Sequence, residues 1–314
     1  METQTKKGMT SFAIKVVAIV TMFIDHTAAV FLERQIANPG KAFVSGSAYY
    51  YKIVRLDQIM RGIGRIAFPL FIFLMVQGFV HTKSRLKYAI RLGLFVLISE
   101  IPFDMAFQNS YFDLAYQNVF FTLFIGFLFM CISDAIRNKH IPAFLGYIGL
   151  ILSSVTIGYL LMTGTNSALM AFNYSIITGI SYYAGIALCA AIVVGILIFA
   201  CRRKTFEDLS KVALIILALA VCATAAELLK TDYGAAGVLA IAAAYRFRDK
   251  KMLCFGAAFL VLTLMNFFEI FSAVGFIFIY FYNGQKGRSM KYFFYAFYPC
   301  HLLLIALIAK FLGL

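Results

Sequence analysis

Long apolar runs separated by short charged loops dominate the chain. They fall at 12–32, 63–80, 87–107, 117–135, 142–162, 180–200, 211–229, 234–246, 252–268, 270–284 and 292–313. A helix needs about 20 apolar residues to cross a bilayer, and fewer where neighbouring helices shield it. The pattern predicts an all-α, polytopic transmembrane helical bundle of about 10–11 spans. Residues 1–314 read as a single integral-membrane domain. The short runs 234–246 and 270–284 read as half-spans or as helices shielded by the bundle. Met1–Thr10 is polar, and the first apolar run has no small-residue cleavage site, so it reads as an uncleaved first span.

The polar positions between the runs set a direction. Basic clusters (Lys6 and Lys7; His81, Lys83, Arg85, Lys87 and Arg91; Arg137 and Lys139; Arg202–Lys204; Arg246–Lys251; Lys286–Lys291) recur at every second loop. The positive-inside rule then gives a cytoplasmic N-terminus and an outer C-terminus, in a bacterial cytoplasmic (inner) membrane. The exception is 33–62, read as an outer loop although it carries Arg34, Lys41, Lys52, Arg55 and Arg61. Such a basic outer loop either folds back over a site or is simply tolerated. Asp25, Glu100, Asp104, Glu227, Asp232 and Glu269 all map to the outer halves or outer ends of their runs.

Composition agrees with this picture. The chain is 62% hydrophobic and 13% charged, against about 25% charged in a soluble domain. The net charge of +14 would suggest nucleic acid in a soluble protein. Here Lys and Arg fill short loops, so the charge reads as topology and contact with anionic lipid, with room for an anionic substrate on the same side. The six cysteines are scattered through apolar runs without a CxxC spacing, which argues for packing rather than for disulfides or metal. HExxH, GxSxG and Walker patterns are missing, and no metal site is expected.

The candidate chemistry begins with Asp25-His26 inside the first run. An ionisable pair at membrane depth is costly and marks a substrate path, a proton relay or a catalytic site. Lys15 stands eleven residues earlier, roughly 16 Å along the helix and on the same face as His26. Neutral imidazole is a general base suited to an amine or hydroxyl proton. Asp25 lies about 100° away around the helix and is expected to pair with Arg65 rather than orient His26. Arg61 and Arg65, like Glu100 and Asp104, are four apart and share a helix face. His301, beside Pro299, is a second intramembrane imidazole, read equally as a site residue or as a structural hydrogen-bonding group.

Several segments together resemble the TraX family, the F-pilin acetylase group. They are Ile14-Lys15 through Asp25-His26, Arg61–Phe71, Gln77-Gly78-Phe79, Arg91 with Ile98–Asp104, Asn118–Thr122, Asp232–Val238, Tyr282-Asn283-Gly284 and Tyr295–Leu302. The resemblance is strongest over 14–126 and 292–304. TraX proteins resemble in turn the multi-span acyltransferases that modify surface sugars, many of which carry a basic residue, ten residues, then a catalytic His on the first span. Lys15 and His26 match that spacing.

The resemblance implies a membrane acetyltransferase in which acetyl-CoA or another acyl-CoA arrives from the cytoplasm. His26 is then the base, with Asp25, Arg65, Glu100, Asp104 and His301 around it. Lys15, Lys83, Arg85, Lys87 and Arg91 are the residues placed to hold the donor's phosphates. Asn118, Asp232 and Tyr298 are the expected acceptor contacts, and Arg65, Asn118 or Tyr298 would polarise the thioester oxygen. The acceptor is a peptide N-terminus, a sugar or a lipid, reached from the outer side. Membrane lipids are expected partners, nucleic acid is not, and a homo-oligomer is compatible with the chain. Two alternatives stay open: a proton-coupled transporter using the buried Asp, Glu and His residues, and a non-catalytic assembly subunit whose polar residues join helices.

Overall fold

The computed structural model describes residues 7–38, 46–142, 144–149, 151–152 and 206–313. The expected runs at 142–162 and 180–200 lie largely or wholly outside them. The described residues are helical, with no strand beyond two isolated bridges. Five helices are long and apolar enough to cross a membrane: Ser11–Ala37, Ala48–His81, Val119–Arg137, Ser210–Leu228 and Tyr292–Phe311.

The first begins as α1 (Ser11–Thr27), passes through a π-helical turn at Ala28–Leu32 and ends as α2 (Glu33–Ala37). Next come α3 (Ala48–Gly64), α4 (Ala67–His81), α5 (Arg85–Phe107) and α6 (Val119–Arg137). After the undescribed stretch follow α7 (Phe206–Leu228), α8 (Gly234–Arg246) and α9 (Lys251–Met265). A 3-10 segment at Phe267–Val274, then α10 (Gly275–Tyr280) and α11 (Lys291–Phe311), complete the chain.

The region expected as outer loop 33–62 is mostly helix, because α2 continues the first span and α3 fills 48–64. Its physical origin is amphipathicity. Tyr49, Tyr51, Lys52 and Arg55 point outward while Ile53 and Gly62 are buried. Helix starts follow side-chain caps. Thr10, Ser47 and Ser84 accept from the N–H groups of Ala13, Tyr50 and Lys87, and Asn118 Oδ1 accepts from Phe120 N. Each such cap satisfies a backbone donor that the helix itself leaves open.

The backbone groups into two compact units, Met1–Phe127 with Leu229–Leu314, and Leu128–Leu228. Within the first unit, α1 packs on α3, α4 and α11, while α5 packs along α11. The α4 helix also meets α8 and α9, which pack on each other. Phe73, Leu70, Ile72, Ile14, Tyr245 and Ile241 are among the fully buried side chains. Leu94, Leu97, Ile98 and Ile101 of α5 and Leu304 and Leu307 of α11 are exposed. Outward apolar faces are what lipid tails solvate.

Two short pairings tie the helix ends. At one, Met9 N–H donates to Phe281 O (2.8 Å) and Asn283 N–H to Met9 O (2.9 Å). At the other, Gln117 N–H donates to Lys230 O (3.0 Å) and Asp232 N–H to Gln117 O (2.9 Å). The Thr122 hydroxyl locks this second pairing against Thr231 Oγ1 and the Asp232 carbonyl.

Gly237 lets α8 approach that hydroxyl: a Cβ there would sit 2.4 Å from Thr122 Cγ2 and 2.9 Å from Tyr233 Cβ. Gly237→Ala is expected to destabilise the protein by about 1–3 kcal/mol through overpacking. Gly256→Ala, whose Cβ would meet only Phe276 at 3.5 Å, should leave the melting temperature in detergent unchanged.

Candidate functional site

The polar centre of the first unit begins with Asp25, only 8% exposed on α1. Its carboxylate accepts from Arg61 Nη1 at 2.6 Å and from Arg65 Nη2 at 2.9 Å. Arg65 reaches on through Nη1 to Glu269 Oε1 (3.2 Å), and its Nε donates to the Arg61 carbonyl (3.3 Å). Arg61 Nε also meets Glu33 Oε1 at 3.0 Å. The i, i+4 spacing of the arginines puts both on one face of the α3–α4 turn, and Gly64 lets that turn press against Asp25. The expected pairing of Asp25 with Arg65 is present, and Arg61 joins it.

His26, the next residue, faces elsewhere. Its Nδ1 lies 2.7 Å from His301 Nε2, and His301 Nδ1 lies 2.7 Å from the Phe297 carbonyl. The rings of Phe107 and Tyr298 close edge-on around His26, with centroids at 5.4 and 5.9 Å. Immediately after Thr27 the helix opens into its π-turn, a local irregularity that often accompanies functional sites. Tyr298 is 3% exposed; its oxygen faces the Val119 N–H, and its hydroxyl proton has no acceptor among the described residues.

A third group surrounds the end of α5. Glu100 Oε2 accepts from the amide nitrogen of Asn118, which also donates to the Val96 carbonyl at 3.0 Å. Asp104 Oδ2 accepts from Asp113 N–H at 2.8 Å. The second oxygens, Glu100 Oε1 and Asp104 Oδ1, are buried without a partner, and no ion pair reaches either carboxyl among the described residues. Asp232 stands across the loop pairing and accepts from Tyr116 OH at 2.7 Å. Glu227 falls in the second unit.

The basic residues stand apart from the polar centre. Lys15 is half-buried, its ammonium 5.4 Å from the centre of the Phe294 ring at the start of α11. Arg91 lies 5.5 Å from the Tyr88 ring and against Tyr295, so it meets the same stretch of α11. Lys83, Arg85 and Lys87 are exposed around the start of α5, with Arg85 over Phe79. Among the described residues no group of His, Cys, Asp and Glu is arranged to hold a metal.

Some contributors carried no sequence signal of their role. The Phe297 carbonyl, the Phe107 ring, Tyr116 and the Thr122–Thr231 contact are ordinary residues made important by tertiary placement. Gly64 has a signal in the sequence, because the Gly62-Ile63-Gly64 spacing reads as turn or close-packing glycines.

The family described as TraX protein matches residues 11–205 and 159–309. A stretch of 93 residues is 33% identical to the probable fimbrial assembly protein FimC, serogroup H1, of Dichelobacter nodosus. That match covers 30% of this chain and 30% of the relative's length. No solved structure matches.

A Cβ at position 64 would lie 2.1 Å from Asp25 Oδ1, so Gly64→Ala is expected to break the Asp25–Arg65 contact. Gly62→Ala, with its nearest neighbour at 3.4 Å, should be tolerated. Removing one partner of a buried ion pair costs about 3–5 kcal/mol. Asp25→Ala should therefore lower the thermal stability of detergent-solubilised protein far more than His26→Ala, as followed by fluorescence size-exclusion after heating.

Proposed function

The chain belongs to the TraX family, and on that premise we propose that it is an integral-membrane acetyltransferase. It would move the acetyl group of acetyl-CoA to an amine or hydroxyl, with His26 as general base. The observation that carries this reading is the division of labour within Asp25-His26. Asp25 is consumed by two arginines, whereas His26 meets only a second imidazole and aromatic rings among the described residues.

The donor fits the α1 geometry. Helix continues from Ser11 to Thr27, so Lys15 and His26 stay roughly 16 Å apart on one face. Phosphates held at Lys15, Arg91 and the exposed Lys83, Arg85 and Lys87 would leave the pantetheine arm to run along α1. The N-terminal end would face the cytoplasm, in a bacterial inner membrane, by the positive-inside rule.

In the reaction, His26 removes the acceptor's proton as its nitrogen or oxygen attacks the thioester carbonyl. The new C–N or C–O bond forms, the C–S bond breaks, and the proton passes from His26 to the departing sulfur. This is direct transfer; an acyl-histidine is the variant form. Of the three residues expected to polarise the thioester oxygen, Arg65 has all its nitrogens engaged. Asn118 is bound to Glu100 and Val96. The Tyr298 hydroxyl, whose proton has no acceptor among the described residues, is the better donor.

The acceptor would enter beside Glu100 and Asp104. Two buried carboxyls without a counter-cation favour a protonated amine, which gives one proton to a carboxylate there before attack, the second going to His26. The fimbrial-assembly name of the Dichelobacter nodosus relative points toward a surface-fibre subunit as acceptor. A proton-coupled transporter would draw on the same carboxyls, but family membership favours acetyl transfer.

Protein in nanodiscs with radiolabelled acetyl-CoA and a peptide bearing a free N-terminus tests the reading. His26→Ala is expected to lower kcat by about 10²-fold or more with the KM for acetyl-CoA little changed. Transfer at full rate in that variant would remove His26 from the chemistry. Glu100→Gln should raise the KM of the amine peptide about tenfold, the scale of one charged hydrogen bond. An unchanged KM would place the acceptor elsewhere.

A further inference from the structure

We propose that His301 is a positioning residue that fixes the tautomer of His26 and so decides which of its nitrogens is the base. The inference rests on the acetyltransferase reading for its consequence, but its geometry stands alone. A carbonyl oxygen can only accept, so the 2.7 Å contact between Phe297 O and His301 Nδ1 requires the proton on that nitrogen. A neutral imidazole carries one N–H, which leaves His301 Nε2 bare. That bare nitrogen faces His26 Nδ1 at 2.7 Å, so His26 Nδ1 must be the donor. The His26 proton is thereby placed, and His26 Nε2 is left with an open lone pair.

The neutral state of both rings follows from their surroundings. His301 is 4% exposed, and no carboxylate forms an ion pair with either imidazole among the described residues. The nearby carboxylate, Asp25, is spent on Arg61 and Arg65. A buried imidazolium here would lack a counter-charge.

The ring geometry also fits a hydrogen bond better than a stack. The two planes differ by 8° with centroids 5.0 Å apart. Stacked rings keep their atoms about 3.5 Å or more apart, yet these nitrogens approach to 2.7 Å. The imidazoles therefore meet edge to edge in nearly one plane, the arrangement in which an N–H points at a ring lone pair.

The consequence separates two residues that sequence reasoning had grouped. His301 holds no proton in transit. It uses the Phe297 carbonyl as an anchor, orients the His26 ring and keeps Nδ1 protonated. Only His26 Nε2 then takes the acceptor's proton and returns it to the departing thiolate. This is the logic by which a second hydrogen bond selects the reactive nitrogen of a histidine.

The chain has four histidines, so nitrogen-15 NMR of histidine-labelled protein in nanodiscs resolves them, with His81→Gln and His140→Gln variants assigning the rest. The expected result is a protonated Nδ1 and a bare Nε2 on both His26 and His301. In His301→Leu, His26 should redistribute between tautomers, and kcat should fall about 10²-fold with the KM for acetyl-CoA within about twofold. His301→Gln places an amide oxygen near the lost Nε2 and should restore the Nδ1–H tautomer and much of kcat. Nε2–H on His26 in the unaltered protein overturns the proposal. So does an unchanged tautomer and rate in His301→Leu, or a His301→Gln no better than Leu. Because the tautomer is read without turnover, a protein that transfers no acetyl group but shows the expected spectrum contradicts the acetyltransferase reading alone.

Discussion

A carboxylate in an apolar bundle persists only if its charge is matched nearby, and Asp25 meets that condition through Arg61 and Arg65. Several features of the first unit answer to it. The α3–α4 turn must come close enough for both guanidinium groups, which Gly64 permits. Glu269 must be carried to Arg65 by the 3-10 segment after α9. Glu33 must follow the π-turn to reach Arg61. Four separate parts of the chain are thus joined through one buried ion-pair network. Such a network adds little net stability compared with apolar packing, but losing one member is costly. Its use is to hold α1 in a defined rotation against α3 and α4.

That rotation determines what His26 sees. With Asp25 turned to the arginines, the following residue faces α11 and the end of α5, where His301, Tyr298 and Phe107 meet it. The unmatched carboxyls Glu100 and Asp104 belong to the same α5–α11 side through Asn118 and Tyr298's neighbour Phe120. The centre therefore separates an ion-paired structural cluster from a reactive region that keeps unpartnered polar atoms. Unpartnered buried groups are expensive, and a site that binds and transforms a polar substrate is a place where that cost is offset.

Much of this was legible along the chain. The run at 234–246 coincides with α8, and 87–107, 117–135 and 292–313 lie within two or three residues of α5, α6 and α11, because a long apolar run flanked by charge has few alternatives to helix. The polar stretch 48–62 misled for a physical reason: α3 is amphipathic and tucked against α1, so its exposed Lys52 and Arg55 hide the helix in a hydropathy reading. Asp25 with Arg65 was foreseeable from helix angles and the cost of burying charge. The contact between His26 and His301 was not, since 275 residues separate them and no local rule links such positions. The π-turn after Thr27 is equally silent in Ala28-Ala29-Val30-Phe31-Leu32.

An electron-microscopy structure of the protein with bound coenzyme A would test donor path, side and base together. The expected density places the phosphates at the Lys15 end of α1 and carries the thiol to within hydrogen-bond reach of His26 Nε2. Density for coenzyme A whose thiol ends away from His26, or phosphates bound at the Asp104–Asp232 end of the unit, would contradict this account of the site.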